Sequence, residues 1–117
     1  VSYVRLWATA FLVTWLSELA VATPLLPRTE SRGRRLGAVT AANVLSHPAV
    51  WFVFPEVLRP YLVMLVGAEL WALVSEALVY RLVFPKLSWR GAFGVSLLAN
   101  AVSLGLGLVL RRLGAPL

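Results

Sequence analysis

The 117-residue chain contains no cysteine. That excludes a disulfide scaffold, thiolate metal centres and cysteine catalysis, and it leaves the redox compartment undetermined. A single histidine, His47, excludes the two-histidine His-Glu-x-x-His helix, and the paired Glu-x-x-His signature of di-iron bundles is also absent. No fixed-period repeat and no low-complexity segment interrupts the chain. Charge is sparse too, at 14% of residues, whereas 60% are hydrophobic and the mean hydropathy is +0.82. Globular domains run at about 45–50% apolar. A soluble domain of this length has no interior large enough to hide the excess, so lipid is its natural solvent.

What is present organises into four apolar segments of one domain, residues 1–117. Each is close to the ~20 residues a helix needs to cross a ~30 Å hydrocarbon core. The expected helices are 3–26, 36–54, 61–84 and 91–110. Pro24 and Pro27, Pro55, and Pro85 close the first three, because proline continues a helix poorly. Short connectors make successive helices antiparallel neighbours. The expected fold is therefore an all-α integral membrane protein, an antiparallel up-down bundle of four transmembrane helices. The first segment is too long, and too poor in a small-residue cleavage site, for a removed signal peptide.

The formal charge of +6 does not point to nucleic acid, because no basic face carries interleaved aromatics. The basic residues flank the apolar runs instead. Arg28, Arg32, Arg34, Arg35, Arg81, Lys86 and Arg90 fall on one side, and Arg5, Arg59, Arg111 and Arg112 on the other. The positive-inside bias puts loops 28–35 and 85–90 in the cytoplasm and both termini outside, with a bacterial inner membrane as the expected setting. Trp7, Trp51 and Trp89 fall near segment ends, as an interfacial belt requires, whereas Trp15 and Trp71 lie deeper. Ala99, Ser103 and Gly107 repeat at the spacing that lets membrane helices approach closely, inside the bundle or across a dimer.

The informative residues are polar groups that lipid penalises. The first helix carries Thr14 and Glu18 on one face. The second carries Asn43 and His47, with Pro48 beside them, and the third carries Glu69 and Glu76, with Tyr80 one turn further. Ser96, Asn100 and Ser103 form the same pattern in the fourth. Counted along antiparallel helices, Glu18, Asn43, His47, Glu76 and Asn100 reach a common layer, with Glu69 about a turn away from it. A charge at mid-membrane costs roughly 2.5–3.5 kcal/mol on insertion scales. Three glutamates are thus expected to point inward, some of them protonated.

Interhelical hydrogen bonds in membranes return only about 0.6 kcal/mol on average, a weak reward for burying three carboxyls and an imidazole. A site is therefore expected at Glu18, Asn43, His47, Glu69, Glu76, Asn100 and Ser103. His47, Glu18 and Glu76 are its candidate ligands for a metal such as Zn, Mn or Fe, with the metal itself and any cofactor unassigned. Catalysis fits less well. Ser46 and His47 are helix neighbours and do not face each other, and no nucleophile-elbow glycines are present. The best functional expectation is proton- or cation-linked transport or binding of a small solute. The alternatives are a non-catalytic accessory subunit of a larger membrane complex, touching lipid or pigment, and an intramembrane Glu/His enzyme. Four short helices enclose little volume, so a homo-oligomer or a larger complex is expected alongside the bilayer.

Overall fold

A computed structural model describes residues 2–117. Its elements are α1 (Tyr3–Leu25), α2 (Arg32–Phe52), the short α3 (Phe54–Val57), α4 (Tyr61–Val83) and α5 (Trp89–Arg112), with no strand among the described residues. Three serines set the starts. The side chains of Ser2, Ser31 and Ser88 accept from the amides of Arg5, Arg34 and Gly91, each relieving an orphan helix donor.

Two of those caps lie within the polar connectors. α2 therefore begins at Arg32 rather than 36, and α5 at Trp89 rather than 91. At its other end α2 stops at Phe52, and Pro55 initiates α3 in its first turn. Pro48 lies inside α2 without ending it. Phe84, forced away from helical geometry by the following Pro85, ends α4. α3 and the residue after it fold back on α4 at Gly67, where Leu58 Cδ1 comes within 2.6 Å of the position a Cβ would take. A Cβ there would require the Leu58 side chain to shift.

Each long helix packs on its sequence neighbours, and α5 closes the ring on α1, which leaves α1 and α4, and α2 and α5, facing across the centre. Partner numbers run in opposite directions: Trp7 meets His47, Trp15 meets Thr40, and Arg35 meets Thr23. The bundle is therefore antiparallel. All four long helices are long and apolar enough to span a membrane, and the molecule is 42 Å along its longest axis.

Its polarity is inverted relative to a soluble domain. Leu16, Leu45, Leu62, Leu82 and Leu97 are exposed, whereas Glu18, Asn43, Ser46, Glu76, Ser96 and Asn100 are buried. With no hydrophobic drive between helices in lipid, close contact comes from small residues. Ala22, Ala42, Ala77 and Ala99 are fully buried and fill that role. Ala99 and Ser103 of the expected small-residue stripe face inward, so the stripe is used within the bundle. The outward apolar faces meet lipid, as in an integral membrane protein.

The two ends of the bundle differ. At the end of the 26–31 and 84–88 connectors, Leu26, Val39, Tyr80, Phe84, Ala92 and Val95 belong to one packed cluster. There Arg34 and Arg35 donate to the carbonyls of Val83 and Thr23, and the Arg81 guanidinium lies 5.4 Å from the Trp89 ring centroid. Among the described residues no such cluster forms at the end that carries the termini.

Candidate functional site

The centre of the bundle is a carboxyl pair. Glu18 accepts from Asn43 Nδ2 at 3.3 Å and from Ser103 Oγ at 3.2 Å. Glu76, across the centre, accepts from Ser46 Oγ at 2.6 Å and from Asn100 Nδ2 at 3.1 Å. The two carboxyls lie within hydrogen-bonding reach of each other. Each is at most 1% exposed. Ser103 and Asn100 lie on one helical turn of α5, and the Asn100 carbonyl, 3.1 Å from Ser103 Oγ, is an alternative acceptor for its single hydroxyl hydrogen. Asn43 and Asn100 each spend a second amide hydrogen on their own helix, at the carbonyls of Val39 and Ser96.

All four side-chain donors to the pair are neutral. No lysine or arginine makes an ion pair with Glu18, Glu69 or Glu76, and the only side-chain ion pair among the described residues joins Arg34 to Glu30 near the connector end. Ionised carboxylates only accept, so a hydrogen bond between the two carboxyls requires a proton on at least one of them.

His47 and Glu69 stand apart from the pair. One turn from Asn43, His47 meets Trp7 and Phe11 of α1 rather than Glu18. Trp7 Nε1 donates to His47 Nδ1 at 3.0 Å, Phe11 stands edge-on to the ring, and Trp51 stacks on it. An indole N–H is a donor only, so Nδ1 must be an acceptor and the imidazole carries its hydrogen on Nε2. In that arrangement the imidazole is neutral. Among the described residues no three His, Asp or Glu side chains form a group able to hold a metal ion. The candidate ligands His47, Glu18 and Glu76 accordingly do not make one centre.

His47 and Glu69 line a cavity of about 260 Å³ between the helices in the half that carries the termini. Its floor is formed by Ser46, Glu76, Asn100 and Ser103, and its mouth by Tyr3, Trp51, Tyr61 and Arg111. Apolar walls from Val13, Met64, Leu65 and Leu104 separate the two. Glu18 lies behind the floor. The volume is near the lower end of the ~300–1,000 Å³ of small-molecule sites. Glu76, on its floor, is 1% exposed.

Ser46, Trp7 and Trp71 also belong to this polar system, although their sequence patterns do not announce it. Ser46 is three residues from Asn43 and faces α4 while Asn43 faces α1. That division is set by how the helices are arranged around the ring. Trp71, 40% exposed on the outside of the bundle, donates its indole hydrogen to the Ser46 carbonyl, two residues before Pro48. Trp15 pairs with Thr40 in the same manner. No protein-family model matches the chain, and no curated protein or solved structure matches it significantly.

Proposed function

We propose that this chain is a proton-linked membrane protein that binds or moves a small solute through its central cavity, with the Glu18–Glu76 pair carrying the exchangeable proton. One observation carries the reading: three carboxyls, Glu18, Glu69 and Glu76, lie in the membrane-spanning part of the bundle, and the side chains that donate to Glu18 and Glu76 are all neutral. Charge compensation at that depth must come from protons or from a bound cation, since an isolated charge in hydrocarbon is expensive. The cavity connects that pair to one face, which gives the proton a way in.

The setting we propose is a bacterial inner membrane with the termini outside and loops 28–35 and 85–90 in the cytoplasm. The chain works there as an oligomer or within a larger complex. An accessory-subunit role has less support, because the small-residue stripe suited to gripping a partner helix is used inside the bundle.

The test is Glu76→Gln in liposomes containing a pH-sensitive dye, with proton entry driven by an imposed membrane potential. Glutamine keeps the shape, can still accept from Asn100 through its amide oxygen and can donate to Ser46 Oγ through its amide nitrogen, but cannot exchange a proton. Proton entry is expected to fall to the level of empty liposomes. Entry equal to that of the unsubstituted protein refutes the reading.

A further inference from the structure

The cavity accounts for only one half of the membrane. In the other half, between the carboxyl pair and the connector end, buried polar atoms with no protein partner lie in and around the packed cluster. Buried and unpartnered are Asn43 Oδ1, the Tyr80 hydroxyl, Thr23 Oγ1 and Arg35 Nε, together with Arg81 Nε near the connector end. Their positions form a sequence. Asn43 is bonded to Glu18 through Nδ2, so its Oδ1 sits beside the pair. Tyr80 lies one turn past Glu76 on α4, is fully buried, and its hydroxyl has no hydrogen-bond partner among the described residues.

Thr23 follows Ala22, one turn past Glu18, and its carbonyl accepts from Arg35 Nη1 at 3.0 Å. Arg35 belongs to the first turn of α2, at the connector end. Ala22, Val39, Ala42 and Tyr80, which neighbour these groups, share one contact cluster. Unpaired polar atoms in hydrocarbon are costly, and buried water is their usual partner.

We propose that these atoms mark a second, water-bridged proton path, running from the Glu18–Glu76 pair through the Tyr80 hydroxyl to Thr23 and Arg35 at the connector face. It rests on the proton-linked reading above, and it completes a polar route across the membrane. A hydroxyl both donates and accepts, so Tyr80 passes a proton on without net change. The carboxyl releases its proton to a bridging water, and that water protonates the phenolic oxygen as the phenolic hydrogen leaves to the next water. Rotation of the hydroxyl then restores the start. Asn43 Oδ1 accepts and orients the first water, Thr23 continues the chain, and Arg35 stays charged and donates to the last water.

The full chain in liposomes, driven by an imposed potential, tests the path. Tyr80→Phe keeps the ring and removes only the hydroxyl. Proton entry is expected to fall about tenfold, the cost of one broken relay step, with no loss of thermal stability. If Tyr80→Phe does not fold, Thr23→Val carries the same expectation.

Entry at the unsubstituted rate in these variants overturns the path. The parallel Glu76→Gln measurement separates the two failures. If Glu76→Gln blocks entry and Tyr80→Phe does not, the carboxyl pair stands and the path fails. If neither blocks entry, both fail. No entry in the unsubstituted protein also overturns both.

Discussion

Glu18→Leu is expected to destabilise the bundle by about 2–3 kcal/mol. The volume is nearly conserved, so the cost is not a cavity. It comes from the groups left behind: Ser103 Oγ and Asn43 Nδ2 lose their carboxylate acceptor, and Glu76 loses its carboxyl partner. An unsatisfied buried group costs about 1–3 kcal/mol. The sum is discounted because helices separated within the membrane also find partners, which is why such bonds average only about 0.6 kcal/mol.

The double variant Glu18→Leu/Glu76→Leu sharpens the prediction. Its cost is expected to fall short of the sum of the single costs by about 1 kcal/mol or more, since neighbours that share an interaction are not additive. Titration of sodium dodecyl sulfate into mixed micelles, followed by helix content, measures all three. Additive costs would show that the two carboxyls do not meet.

Gly107→Trp is expected to reduce proton entry about tenfold, equivalent to about 1.4 kcal/mol of barrier, while leaving the fold at least as stable. Gly107 lies in the cavity wall, and a Cβ built on it meets nothing within 4 Å. The added ring therefore occupies empty space instead of overpacking the core. Replacing a helical glycine also recovers roughly 0.5–1 kcal/mol of backbone preference. Gly67→Trp provides the contrast, because its Cβ runs into Leu58 and the substitution should unseat α3. Unimpaired proton entry in Gly107→Trp would show that the cavity is not the way to Glu76.

The sequence makes the four helices legible because segment length and apolarity are set by the bilayer, independently of tertiary detail. Helix ends are less so, since Ser31 and Ser88 cap α2 and α5 inside stretches whose charge suggests a loop. Counting depth along antiparallel helices puts Glu18, Asn43, Glu76 and Asn100 at one level, and in the structure Asn43 bonds to Glu18 and Asn100 to Glu76. The same count places His47 with them, but it carries no information about rotation around each helix. That rotation sends the imidazole to Trp7 and Ser46 to Glu76. Which half of the bundle is plugged is also invisible in the sequence. It depends on Leu26 and Phe84, at the helix ends, folding inward over the core.

The most direct test of the central claim is infrared spectroscopy of the protonated-carboxyl C=O stretch in the reconstituted protein. A proton shared between Glu18 and Glu76 predicts one hydrogen-bonded carboxyl band that changes in both Glu18→Gln and Glu76→Gln, because each substitution removes half of the same pair. A band that is absent, or that responds to neither substitution, would contradict the account.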